Sequence, residues 1–317
     1  MLKANLTKLP LILIVFICVS VLFGRAGFSQ DVLKLNNNDY FETRGFDILV
    51  FENEYNGMFF DEKTAGILLI HHDERIATGG AVRLKPTPEQ WDQIPKVIER
   101  NVDNENNNID VLLRYEDFNF DSRITVQPQE QHILIRVTLD EPLPEKLMGR
   151  TGFNLEFLPT AYFKKHYLMD DKSGIFPLHP SGPMEVKPAD TQLRQFAGHS
   201  TFDDRGRGEY VEPKPIATGR TLFLAPEDPQ RRIKIETLSG DLMLLDGRNV
   251  AQNGWFVVRT LIPENKTGTV VEWRITPTII QDWIKPPMIA HSQVGYAPKQ
   301  PKRAVIELDK NDTPLAT

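Results

Sequence analysis

Two short runs set the terms for this chain. In "RITVQ" (123–127) and "ILIRVTL" (133–139) apolar residues alternate with polar ones. Period two puts one face of an extended strand in a core and the other in water. β-Branched and aromatic residues recur in "YFETRGFDILVFE" (40–52), "GILLIHHDERIATGGAVRL" (66–84) and "IDVLLRYEDF" (109–118). Gly79-Gly80 reads as a turn within the second of these. A second meander is expected over 220–277, with "ENKTG" (264–268) as a hairpin turn. The 23 prolines and 20 glycines supply turns in a number that suits β structure better than helix. The expected fold is all-β: a large β-sandwich, then the first strands of a second one.

Helix is scarce. "TPEQWDQIPKVIERNV" (87–102) is the one candidate, with Thr87 as cap and Pro88 at the first helical position. Pro95 divides it into two short pieces. "NVDNENNNID" (101–110) reads as a polar loop, and residues 179–219 as a long surface excursion without periodicity. No repeat or low-complexity tract stands out. The Pro pair in "DWIKPPMIA" (282–290) marks a connector. The expected division is therefore 30–285 for the large sandwich and 288–317 for the start of the next domain.

The first 29 residues differ from the rest. Lys3 and Lys8 precede an apolar run from Leu9 to Phe23, broken only by Pro10, Cys18 and Ser20. Small residues follow at Gly27 and Ser29. That is the pattern of a secretory signal cleaved after Ser29, which implies export to the periplasm, the cell surface or the medium. The run is short for a membrane span. Cys18, the sole cysteine, leaves with the signal, so the exported chain has neither thiol nor disulfide. A domain of this size does not need staples. Loss of Lys3, Lys8 and Arg25 leaves 34 basic against 43 acidic residues, a formal charge of −9. With no basic stripe, nucleic acid is not an expected partner.

"SQVGYAPKQPKRAVIEL" (292–308) resembles the first two strands of the immunoglobulin-like module that precedes the catalytic domain in family 9 glycoside hydrolases. Gln293, Val294, Gly295 and Tyr296 match, as do Pro298, Lys302, Ala304 and Val305; Ser292 stands where the family has Asn. "GILLIHHDERIATGGAVRLKPTPEQWD" and "GFNLEFLPTAYFKKHYLMDDKSGIFPLHPSGP" resemble the large N-terminal region of some Bacteroidota members. The resemblance implies the order β-sandwich, immunoglobulin-like module, (α/α)6 barrel, acting on cellulose and related β-glucans. It places the catalytic base in an Asp-Ala-Gly-Asp motif and the acid, a Glu, near the barrel's end. Inverting glycosidases need two such carboxyls about 6.5–9.5 Å apart. The sequence has no Asp-Ala-Gly-Asp, so no catalytic residue carries over, and the chain reads as a fragment without its catalytic domain.

Candidate contact residues are aromatic. Trp91, Tyr162, His166, Tyr167, Phe176 and His179 are the set expected to meet a glycan or a neighbouring domain. Trp255 and Trp273, inside strand-like stretches, read as core. His71-His72 would point to opposite faces of a strand and so not converge on a metal. Asp170-Asp171 and Asp203-Asp204 read as solvated turn carboxylates, with calcium as the alternative. No cofactor is implied. The expected function is the non-catalytic N-terminal part of an exported polysaccharide-degrading enzyme, inactive on its own. The rivals are a stand-alone glycan-binding sandwich and a mutarotase-like enzyme built on the large sandwich.

Overall fold

The computed structural model describes residues 32–51, 66–88, 92–188, 201–202, 208–249 and 254–312. Residues of the expected signal segment, Trp91 and Asp203-Asp204 lie outside them. Among the described residues the architecture is all-β, as the alternation implied. Strands are numbered in chain order. The first nine-stranded sheet runs β1 (Lys34–Leu35), β2 (Phe41–Thr43), β3 (Phe46–Val50), β4 (Ile67–His71), β5 (Glu74–Arg83), β10 (Gly152–Phe157), β20 (Phe256–Leu261), β19 (Leu242–Asp246), β16 (Ala217–Gly219). The second runs β12 (Lys172–Ile175), β11 (His166–Met169), β17 (Thr221–Leu224), β18 (Ile233–Thr237), β21 (Gly268–Pro277), β9 (His132–Leu139), β8 (Phe120–Gln129), β7 (Asn108–Tyr115), β6 (Lys96–Asp103).

The two sheets bury their apolar faces in one core. Phe153 on β10 meets Trp273 on β21 edge to face, with centroids 4.9 Å apart. The Trp273 indole N–H donates to Thr260 Oγ1 at 2.9 Å, and Tyr115 donates from β7 to the Val82 carbonyl of β5 at 3.0 Å. These polar bonds across the core satisfy groups that burial would otherwise penalise. Alternation on β7, β8 and β18 puts Ile109, Val111, Ile124, Val126, Ile233 and Ile235 inward.

Four sequence expectations need correction. Gly79-Gly80 is no turn: it lies within β5, where the register slips against both neighbours. The turn before β5 is His72-Asp73, both at positive φ (50° and 63°), as a two-residue hairpin loop demands. Residues 96–103 of the expected helix form β6, paired with β7. Pro95 ends any helix there, and the Asn-rich loop closes the β6–β7 hairpin, with Asp103 accepting from the Glu105 and Asn106 N–H groups. Arg100 ties this edge to the first sheet through the Val50 and Asp39 carbonyls.

The excursion at 179–219 contains a three-stranded sheet, β13 (Met184–Pro188), β15 (Gly208–Pro213), β14 (Thr201–Phe202), as well as β16. The stretch 220–277 is not one meander. β17 and β18 belong to the second sheet, β19 and β20 to the first, and β21 returns to the second. "ENKTG" therefore carries the chain between sheets and closes no hairpin.

The last described element is a separate hairpin, β22 (Met288–His291) with β23 (Ala304–Glu307). All eight residues are exposed. It is fastened by surface ion pairs: Lys285 to Asp73 (2.8 Å) and Glu307 (2.9 Å), and Lys310 to Glu42.

Candidate functional site

On β10, Phe153, Leu155 and Phe157 face the core, so Asn154 and Glu156 point out from the other face of the first sheet. A strand of this pattern normally offers that face to water. Here it is covered: Asn154 is fully buried and Glu156 is 7% exposed. The loop after β5 lies over Asn154, whose Nδ2 donates to the Pro86 carbonyl at 3.1 Å. Across the pairing, Asn154 sits opposite Arg259 of β20, and Glu156 opposite Val257. On the other side Glu156 sits opposite Thr78 of β5.

Arg259 is almost fully buried, at 1% exposure. Its guanidinium donates to the carbonyls of Lys85 (2.7 Å) and Arg150 and to Asn154 Oδ1. Burial pulls its pKa down to about 10, and Glu212 of the small sheet offsets part of that. It remains a cation at neutral pH, held by fixed acceptors.

Glu156 and Arg83 are less complete. Burial pushes the Glu156 carboxyl up to about 7, against the pull of the Arg83 charge. No described residue donates a hydrogen bond to it. Arg83, also 7% exposed, has a buried Nε without a partner, and its Nη2 reaches the Gly79 carbonyl only at 3.4 Å. The β5 bulge brings these groups together. Gly79 has φ +65°, and a Cβ there would lie 2.8 Å from Glu156 Oε2. At Gly80 a Cβ would lie 2.6 Å from that of Ile67. Only glycine at 79 lets the backbone turn this way with the carboxyl against it. The result is a buried acid that can hold or release a proton near neutral pH, beside a fixed cation.

A second polar cluster lies at the β4–β5 turn. Because His72 leaves the strand at positive φ, its ring stacks on His71 at 4.3 Å. Strand alternation alone had put them on opposite faces, so that expectation is corrected. His71 Nε2 pairs with the Thr278 carbonyl (2.9 Å) and His72 Nδ1 with that of Gln230 (3.1 Å). Trp283 closes over His72 at 5.0 Å. Burial drives the His71 pKa down to about 3 and lowers that of His72 as well. Both rings are neutral at pH 7 and act as packing.

The expected aromatic set is only partly gathered. Tyr162, Tyr167 and Phe176 meet, with centroids 5.3 to 5.6 Å apart, and Phe256 joins them at 4.7 Å from Phe176. Tyr162 and Phe176 are fully buried in the large sandwich, so neither presents a ring to a glycan or another domain. Their neighbours in sequence looked like a loop, yet they pack under β20. Tyr167 is half-buried; His166 and His179 are exposed, His166 beside Glu227 at 3.1 Å. Trp91 lies outside the described residues. Trp273 is core, whereas Trp255 and Trp283 are half-buried. The Asp170 carboxylate accepts from the backbone N–H groups of Arg220 and Thr221, a turn-fastening role. Sequence reasoning missed Arg83, Asn154, Glu156 and Arg259. The Gly79-Gly80 pair inside a strand-like run was the available signal, as a bulge marker.

No protein-family model matches the chain. A search of curated proteins finds no match. Among solved structures, the Slr1438 protein from Synechocystis sp. PCC 6803 is similar at 12% identity, over 74% of this chain and 93% of that one, with a TM-score of 0.33.

Proposed function

We propose that this chain is the non-catalytic N-terminal part of an exported family 9-like glycoside hydrolase, a β-sandwich that supports an appended catalytic domain. The observation that carries the reading is the β22–β23 hairpin. It bears the Gln293-Val294-Gly295-Tyr296 motif in its connection. Gly295 takes φ +81°, and the Tyr296 hydroxyl bridges the Ser292 N–H and the Arg303 carbonyl. Ile289 and Val305 are each 66% exposed. Two strands with both faces wet are marginal alone, as expected of the first hairpin of a module whose other strands cover it.

In this reading the sandwich binds no cofactor, and its partners are the catalytic domain and, through it, a β-glucan. The exported form begins at or near Gln30, which intact mass or N-terminal sequencing checks. The purified chain releases no reducing sugar from carboxymethyl-cellulose, mixed-linkage glucan or aryl β-glucosides. Hydrolysis that follows the folded protein through repeated purification would show a complete active site and sink the reading.

A further inference from the structure

We propose that residues 286–312 act as a strap hinged at Ile284-Lys285 and closed onto the first sheet by an ionic latch, which raised ionic strength opens. The hinge follows from what is fixed on either side of it. Before it, Trp283 lies over His72 with centroids 5.0 Å apart, Arg44 pairs with Asp282 at 3.0 Å, and His71 Nε2 meets the Thr278 carbonyl at 2.9 Å. After it, Pro286-Pro287 fixes two φ angles and resists bending. The β22–β23 hairpin beyond is internally tied. Its two strands pair along their length, and the backbone N–H of Lys285 donates to Asp309 at 2.8 Å while its Nζ meets Glu307 at 2.9 Å. The second leg is thereby fastened to the base of the first, and the strap moves as one piece.

Two ion pairs join the strap to the sandwich: Lys285 Nζ to Asp73 at 2.8 Å, and Lys310 to Glu42. Their acceptors belong to an acidic corner. Phe46 and Ile48 face the core, so Asp47 between them points outward, and Glu42 stands directly opposite it on β2. Asp73 is near enough for its charge to add to burial in raising the Asp47 pKa to about 6. Three carboxyls thus meet two lysines. Charge is segregated in the same sense along the sequence: residues 285–312 carry five basic and three acidic side chains, in a chain with 37 basic and 43 acidic ones. Apolar burial adds little, since all eight strand residues of the hairpin are exposed, Ile289 at 66% and Ile306 at 55%. Exposed ion pairs are weak one by one. Salt weakens them further, because the screening length falls from about 10 Å at 0.1 M to about 3 Å at 1 M. Closed and open forms therefore lie close in free energy, and ionic strength sets the balance. The hairpin holds one pose at low salt and pivots at high salt. The latch is independent of the function proposed above, because its charges all belong to this chain.

The test uses the isotopically labelled full chain with Cys18→Ser, so that Val305→Cys supplies the one thiol for a nitroxide on the exposed hairpin. Paramagnetic broadening of the amides of 42–47 and 71–75 then reports closure. It should fall about twofold or more between about 0.02 M and about 0.5 M sodium chloride, as the screening length drops to roughly the spacing of an ion pair. Lys310→Glu sets an acid against Glu42 and should lower the low-salt broadening by a similar factor. Adding Glu42→Lys to that variant should restore both the broadening and its salt dependence, which a loss of folding would not allow. Broadening that stays constant or rises across the salt range overturns the proposal, because docking by apolar contact is not weakened by screening. So does undiminished closure in a folded Lys310→Glu variant, or a folded charge-exchanged protein that stays open. Should Lys310→Glu fail to fold, the salt series on the labelled chain decides alone.

Discussion

Glu156 and His71 are both buried, and their protons act on stability in opposite senses. Glu156 has its folded pKa raised from 4.5 to about 7. The folded chain therefore holds a proton that the unfolded chain releases, and stability falls as pH rises from about 4.5 through 7. His71 has its folded pKa lowered from 6.5 to about 3. There the unfolded chain takes up the proton first, so stability is lost as pH falls below about 6.5. Asp47, raised to about 6 by burial and then by the Asp73 charge, adds to the Glu156 side. Between pH 5 and 7 these effects offset one another. Glu156→Gln removes one of them, so the variant should lose about 2 kcal/mol more than the unmodified chain on going from pH 7 to pH 5. Urea unfolding at the two pH values measures this. At Gly79, alanine must take φ +65° and crowd the Glu156 carboxyl. Gly79→Ala should cost about 1–3 kcal/mol, read from the same unfolding curves. Of this, only the Gly79-Gly80 pair left a mark in the sequence, as a bulge signal. "FNLEF" spells a strand with one polar face, but what covers that face comes from residues far along the chain.

At the scale of elements, local pattern found most strands and misjudged what joins them. β7, β8 and β9 follow from their alternation. β6 was hidden because Val97 and Ile98 are adjacent and both exposed on an edge strand, so no face alternates. Turn chemistry was legible in "ENKTG", with Asn265 and Gly268 at positive φ. Its destination was not, since such a turn serves a hairpin or a passage between sheets equally well. His71-His72 failed for a related reason: alternation holds only while the chain stays extended, and the turn begins at His72. The terminal hairpin gives a prediction at this scale. Amides of 288–312 should exchange rapidly, while those of β9, β20 and β21 exchange slowly, because the hairpin has no layer over either face. Deleting 288–312 should move the melting temperature by no more than about two degrees, since surface changes away from a core cost little. Strong protection across the hairpin in a monomer, or a large loss on deletion, would make it part of the first domain's folding unit.

At the scale of the molecule, the all-β class was legible because composition, turn density and alternation agreed. Core identity was legible in part. Trp273 is buried between the sheets, and Trp273→Ala should cost about 3–5 kcal/mol in an unfolding titration, mainly through lost packing, since the Thr260 hydroxyl keeps its bond to the Asp241 carbonyl. Tyr162 and Phe176 looked like a contact surface and are core, because residues before and after them pack the loop down under β20. The functional reading depends on the hairpin motif and on what it connects to. The coding sequence directly after codon 317, in the genome that encodes this chain, tests it most directly. The account predicts an uninterrupted frame that supplies the remaining strands of an immunoglobulin-like module and then a helical region with an Asp-Ala-Gly-Asp motif. A stop codon immediately after Thr317, with no such domain encoded in frame, would contradict it.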